Sequence, residues 1–177
     1  MKIFSVIGKK GSGKSEVMTS LIACFKNSGL RVGVIKHIAN DDVEIDQQGK
    51  DTFVYRAEGA QKVILSGRRR FAVFENLEEE KSFEDLQAGF RDYGVVLLEG
   101  YFAADFQKIE IHHEALGSML AEKLENVIAV CTDSPSPRPL PLRGGEDKGE
   151  GSAIPIFGLD QINELANWLM QSLLSNV

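Results

Sequence analysis

Apolar residues fall along this chain in short blocks separated by polar, glycine-marked turns. Residues 2–7 (KIFSVI) form an apolar run that stops at Gly8, the profile of a buried strand. Beyond a glycine-rich turn, Val17, Met18, Leu21, Ile22, Cys24 and Phe25 recur at helical spacing until Gly29, a natural C-terminal cap. Residues 31–36 (RVGVIK) read as a second strand and complete a strand–helix–strand unit. Residues 37–50 are polar and read as loop, and Asp51 is placed as the cap of a short helix ending before Gly59. Residues 61–76 look like two strands around Gly67, a β-hairpin. Ser82 opens a Ser-x-x-Asp capping box for a helix running to about Asp92. The four aliphatics of residues 95–98 have the pattern of a strand buried on both faces, and residues 108–112 and 126–131 read as further strands. Asp160 is placed as the cap of a closing helix whose apolar face holds Ile162, Leu165, Leu169 and Leu173.

One stretch resists this reading. Residues 134–152 hold Pro135, Pro137, Pro139 and Pro141, followed by Gly144, Gly145, Gly149 and Gly151. A segment this long without structure is either a functional lid or a mobile loop, and the mobile loop is the expectation.

The length of 177 residues suits one domain, residues 1–177, and 43% hydrophobic residues can bury a core unaided. A formal charge of -6 argues against a broad nucleic-acid-binding surface. Cys24 and Cys131 sit inside apolar stretches with no metal-type spacing and read as plain buried thiols of a reducing compartment. No apolar run approaches the ~18 residues of a membrane helix, and the chain enters a strand pattern too early for a signal peptide. The expectation is a cytoplasmic protein without membrane contact.

Candidate chemistry starts at Gly8-Lys9-Lys10-Gly11-Ser12-Gly13-Lys14-Ser15, which matches G-x-x-x-x-G-K-[ST], a phosphate-binding loop. Glycines let backbone N–H groups turn inward around phosphate oxygens, and the helix N-terminus adds partial positive charge. Lys14 would reach the β- and γ-phosphates, and Ser15 would ligate Mg²⁺. Standing between a strand and a helix, the motif predicts an α/β fold of P-loop NTPase type: a mostly parallel sheet flanked by helices, with a projecting β-hairpin. Glu99, at the end of VVLLEG, is placed to hold the metal or its water shell. Lys36 and His37 close the second strand, and Asp46 follows in a polar loop, so all three are candidates for the nucleotide site at the carboxyl edge of the sheet.

Other residues leave alternatives open. Arg68, Arg69 and Arg70 read as a solvated hairpin tip or an anion or partner contact. Lys108 and Glu110 face one side of a strand, as a surface ion pair or a functional one, while His112 and His113 point to opposite faces and make no paired metal site. Asp133 ends a strand where a base-reading carboxylate could sit, although no Asn-Lys-x-Asp motif is present.

The series GKKGSGKS, VGVIKH, IDQQGKDT with Ala57-Glu58-Gly59-Ala60, VVLLEGY and QKIEIH, in that order, resembles the molybdopterin-guanine dinucleotide biosynthesis adaptor proteins, the MobB family. The resemblance covers residues 1–113, and IPIFGL with the last helix more loosely. It implies a GTP-binding homodimer that assists attachment of GMP to molybdopterin, the guanylyltransferase being a separate partner of the MobA family. The chain departs from the family pattern where Ile38-Ala39-Asn40-Asp41-Asp42 lacks further histidines. It departs again at Gln48-Gly49-Lys50-Asp51-Thr52, Glu99-Gly100-Tyr101-Phe102 and Gln107-Lys108-Ile109-Glu110, where the family has Pro-Gly-Lys-Asp-Ser, Glu-Gly-Phe/Tyr-Lys and Pro-Lys-Ile-Glu. Competing readings are an ATP-dependent small-molecule kinase or a ligase resembling dethiobiotin synthetase, and an interaction module with a vestigial site. Weak GTPase activity at most is expected, with no catalytic residue assigned.

Overall fold

A computed structural model of the chain describes residues 1–38, 46, 48–134, 140–141 and 153–174. In chain order its first elements are β1 (Lys2–Ile7), α1 (Lys14–Asn27), β2 (Val32–Lys36), α2 (Asp51–Ala57), β3 (Lys62–Ser66), β4 (Phe71–Glu75) and α3 (Phe83–Gln87). There follow β5 (Val95–Glu99), β6 (Gln107–His112), β7 (Val127–Thr132), β8 (Leu140–Pro141), β9 (Ala153–Ile154), β10 (Ile156–Gly158) and α4 (Ile162–Leu174). The chain divides into two compact units, Met1–His37 with Phe90–Val177, and Ile38–Gly89.

The first unit is built on a six-stranded sheet in the order β10-β7-β6-β1-β5-β2. Every neighbouring pair in it is parallel, so its strands end at one carboxyl edge. β1 lies between β5 and β6, which is why KIFSVI and VVLLE are such dense apolar runs: both faces of each strand are covered. On one face α1 contributes Val17, Met18, Leu21 and Phe25, and α4 contributes Leu165, Ala166 and Leu169, to a core with Phe4, Val6, Leu97, Ile109 and Ile111. Ile7, Ala121, Val127, Val130 and Ile154 form a smaller cluster. Cys131 is buried and its thiol is pushed up to about 11 by desolvation, with Asp160 adding to the effect; Cys24 is only half-buried, and its thiol donates to Asn163 Oδ1 at 3.0 Å.

Three local expectations need correction, and one strand was not foreseen. Asp160 does not immediately precede α4; Gln161 does, its backbone oxygen receiving Leu165 N at 3.1 Å and its side chain receiving Gly158 N at 2.8 Å. Asp51 is the first residue of α2 rather than its cap; extended Lys50 occupies the cap position without a side-chain bond. The helix after Ser82 ends at Gln87 and tightens into a 3-10 turn over Ala88–Phe90. Finally, β10 is a sixth sheet strand that carries no legible period, being three residues long. Most of the proposed 134–152 loop lies outside the described residues, but Leu140–Pro141 within it pairs antiparallel with Ala153–Ile154.

The second unit holds the expected hairpin: β3 and β4 pair antiparallel, with Ile64 opposite Val73 and Ser66 opposite Phe71. Gly67 N donates to Arg70 O at 2.9 Å across the turn, leaving Arg68, Arg69 and Arg70 exposed at its tip. Ser82 Oγ accepts Asp85 N at 3.2 Å, the cap read from the sequence. The Arg56 guanidinium lies 5.2 Å over the Phe74 ring.

Candidate functional site

The turn that leaves β1 is shaped by glycine. A side chain at Gly8 would collide with the Ile111 carbonyl oxygen of β6, so the loop can lie against that strand only because Gly8 has none. Gly11 and Gly13 adopt left-handed φ of 82° and 84°, and Ser12 N donates to Lys9 O at 3.2 Å to close the turn. Gly13 O then receives Glu16 N and Val17 N at 3.1 and 3.2 Å, starting α1. No side chain caps this helix. Its first N–H groups and its dipole therefore face outward, the arrangement that receives a phosphate.

Lys14 folds back over this loop and donates to Gly8 O and Lys9 O, both at 2.8 Å. Partial burial lowers its pKa, the Glu99 carboxylate opposes that shift, and the Lys36 charge adds to it. Ser15 is exposed at the first turn of α1, whereas Ser12 is buried, its hydroxyl one of the described side-chain groups without a hydrogen-bond partner.

Neighbouring strands bring the other candidates to the same edge. Glu99 is in register with Val6 of β1 and Lys36 of β2. Its carboxylate lies 3.2 Å from Lys36 Nζ, and its backbone oxygen receives His37 N at 2.8 Å. The His37 ring stands 5.5 Å from that of Tyr101. Gly8, Gly11, Ser12, Gly13, Lys14, Ser15, Lys36, His37 and Glu99 thus gather where β1, β5 and β2 end. Asp46 belongs to the second unit, where its carboxylate lies 3.9 Å from Arg56.

The β6–β7 side holds what sequence reasoning missed. Lys108, Glu110 and His112 are 4%, 2% and 6% exposed, so the surface ion-pair reading of Lys108 and Glu110 fails. Glu110 instead accepts Leu120 N and Ala121 N, both at 2.6 Å, capping a 3-10 turn over Leu120–Glu122. Lys108 Nζ donates to Phe106 O at 3.3 Å and Glu125 O at 3.2 Å. Asp133 accepts Glu114 N at 2.9 Å, which with the nearby His113 ring holds its carboxyl below the usual range. Lys9 Nζ reaches the carbonyls of Leu116 and Ser118 at 2.7 and 2.8 Å, a link across more than a hundred residues with no local signature.

The site supplies hydroxyl and carboxylate oxygens, in Ser15 and Glu99, beside the glycine loop and the start of α1. Hard oxygen donors few in number suit Mg²⁺, which is held through one or two carboxylates and phosphate oxygens rather than by a protein cage. Among the described residues no group of three or more His, Cys, Asp or Glu could hold a metal ion by itself. No helix of the described residues is long and apolar enough to cross a membrane.

Comparison with known proteins places these features in one family. The pattern of molybdopterin guanine dinucleotide synthesis protein B, MobB, matches residues 3–133. The molybdopterin-guanine dinucleotide biosynthesis adapter protein of Haemophilus influenzae is 30% identical over 135 residues, 75% of each chain. That of Escherichia coli is 31% identical over 132 residues, 71% of this chain and 74% of its own. The crystal structure of a MobB homolog from Bacillus stearothermophilus shares the fold at a TM-score of 0.67, with 24% identity over 99% of this chain and 100% of the other. The match spans the phosphate loop, Lys36-His37, Glu99 and the strand of Glu110, and on that ground the chain belongs to the MobB family.

Proposed function

We propose that this chain is a GTP-binding adaptor of molybdopterin-guanine dinucleotide biosynthesis, working in the cytoplasm beside a guanylyltransferase of the MobA family and its molybdopterin substrate. The family supports the adaptor role. The observation that carries the nucleotide role is Lys14, an ammonium resting on loop carbonyls at the mouth of an uncapped helix beside Glu99. In this reading Gly8, Gly11, Ser12, Gly13 and Lys14 cradle the phosphates, and Lys36 and His37 flank them. Ser15 and Glu99 hold Mg²⁺. The metal would neutralise charge on the β- and γ-phosphates.

Hydrolysis by the isolated protein should fall well below the ~1–100 s⁻¹ of working kinases, since among the described residues no arginine stands in the cluster and an arginine finger supplies ~10³–10⁵ in rate. The exposed apolar residues of the hairpin support a homodimer formed through β3 and β4. Calorimetric titration with GTP and ATP, each with and without Mg²⁺, tests the proposal. Mg²⁺-dependent binding of GTP in preference to ATP is the expected outcome; preference for ATP would favour a kinase or ligase, and binding of neither would make the site vestigial.

A further inference from the structure

The phosphate loop of this chain is fastened on its β6 side by a residue that the motif leaves unspecified. Lys9 has two separate roles. Its backbone oxygen receives Ser12 N at 3.2 Å and Lys14 Nζ at 2.8 Å, inside the loop. Its ammonium leaves the loop and donates to Leu116 O at 2.7 Å and Ser118 O at 2.8 Å. Those carbonyls belong to the connection between β6 and β7, which is itself pinned elsewhere. His113 Nδ1 accepts Ala115 N at 3.3 Å and Asp133 accepts Glu114 N at 2.9 Å at its start. Near its end the buried Glu110 carboxylate takes Leu120 N and Ala121 N, both at 2.6 Å.

We propose that Lys9 is a positioning residue: its ammonium fastens the phosphate loop to the β6–β7 connection, so that nucleotide affinity depends on the order of residues 113–122. The physical reason lies in Lys14. To bind a phosphate it must release Gly8 O and Lys9 O, removing the bonds that hold the first half of the loop. The Lys9 tether persists through that exchange and keeps the N–H groups oriented, so less order has to be paid for on binding. A charged donor shared between two carbonyls, the Leu116 bond partly buried and the Ser118 bond exposed, is stronger than a neutral hydrogen bond.

The inference deepens the nucleotide-binding reading and rests on it, so its test has two arms. In the nucleotide-free protein, amide hydrogen exchange at Ser12, Leu116 and Gly117 should quicken together in Lys9→Met and return toward the original rates in Lys9→Arg, whose guanidinium can still serve two carbonyls. Unchanged exchange at Ser12 in Lys9→Met would overturn the coupling even if no nucleotide binds at all. In the second arm, fluorescent analogues of GTP and GDP should each lose about tenfold in affinity in Lys9→Met, by the same factor. A loss confined to the triphosphate would make Lys9 a direct phosphate ligand and overturn the positioning role. Glu110→Gln, which keeps the shape but one fewer full acceptor, should act in the same direction. Combined with Lys9→Met it should cost less than the sum of the two, because both release one segment. Strict additivity would count against a shared segment. Wild-type protein that binds neither analogue would defeat the nucleotide reading alone and leave the exchange arm to decide the coupling.

Discussion

In the parallel-sheet unit, Phe4, Val6, Leu97, Leu98 and Ile109 have no solvent exposure, and α1 and α4 add Leu21, Phe25, Leu165 and Leu169 to the same condition. In the unit of Ile38–Gly89, Ile64, Leu65 and Phe71 are 52%, 53% and 69% exposed, and Val63 is the one described residue that is buried. The two regions have comparable apolar content per strand but spend it differently. The first uses its apolar side chains to build a rigid base under the phosphate loop. The second displays them, at ~25 cal/mol of unrealised burial per Å². A site that must hold backbone N–H groups within fractions of an ångström needs the first kind of support; a surface that recognises another chain needs the second.

The sharpest way to break this comparison is to truncate one apolar side chain in each region. Leu97→Ala removes a fully buried side chain from the core packed with α1 and α4 and should cost about 2–5 kcal/mol in chemical denaturation. Phe71→Ser, at a position already open to solvent, should change monomer stability by no more than about 0.5 kcal/mol. It should instead weaken self-association in sedimentation at micromolar concentration, together with Ile64→Ser on the same hairpin face. A wild-type monomer under those conditions would leave the displayed surface without a second copy to cover it. A large stability loss in Phe71→Ser would mean that the two regions do not differ in the way their exposures indicate.

The second prediction concerns the function that the rigid base supports. Lys14→Ala should weaken nucleotide binding by at least ~100-fold, about 2.7 kcal/mol, while the thermal midpoint stays nearly unchanged. The side chain rests on loop carbonyls rather than in the core, so the fold loses little. Calorimetry on the variant decides it: an unaltered Kd would remove Lys14 from the phosphate site.

How much of this was legible beforehand depended on range. The phosphate loop, β1, α1 and β5 are set by local patterns: glycine spacing, helical periodicity and unbroken aliphatics. Placing Glu99 and Lys36 together needed only the rule that parallel strands end at one edge, and the register of β2, β5 and β1 satisfies it. The burial of Lys108 and Glu110, which removes the surface alternative, was not legible because alternation along a strand reports a shared face but not what covers it. Their partners are backbone groups of the 106–125 stretch, which carry no side-chain signal. The same holds for Lys9, and the pairings of β8 with β9 and of β10 with β7 are too short to show a period. Asp46 belongs to the Ile38–Gly89 unit, where its carboxylate lies 3.9 Å from Arg56, and its place in the nucleotide site stays a proposal.

A third test sharpens the contrast at the metal side of the site. Glu99→Gln keeps the shape of the side chain and removes its charge, so Lys36, 3.2 Å away, loses its counter-ion and, in the proposed role, Mg²⁺ loses a hard ligand. Affinity for the Mg²⁺–nucleotide should fall about tenfold, against a change of less than about threefold when the metal is chelated. Equal losses in both conditions would assign Glu99 to holding Lys36 and Lys14 in place rather than to the metal.

The smallest expected effect belongs to the hairpin unit and is electrostatic. Glu75 on β4 accepts from Lys81 at 2.7 Å and from Lys62, its cross-strand partner, at 2.9 Å. These two hydrogen bonds, the Lys81 bond foremost, hold its carboxyl down to about 2 from an ordinary value of 4.5. A depressed folded-state pKa means that the contribution to stability is fully present above 4.5 and is lost as pH falls through about 2, because the unfolded chain takes up the proton first. The side chain keeps 27% of its surface in solvent, so salt screens it in part: at 1 M ionic strength the Debye length shrinks to ~3 Å. Following the Glu75 carboxyl by NMR should therefore give a midpoint far below 4.5 at low ionic strength and one moving back toward it in 1 M salt. Lys81→Ala should raise the midpoint more than Lys62→Ala, in the order of their hydrogen bonds. A midpoint that stays low in salt would mean that the carboxylate is shielded from solvent, and that this face of the hairpin is already covered, as a tight dimer would cover it.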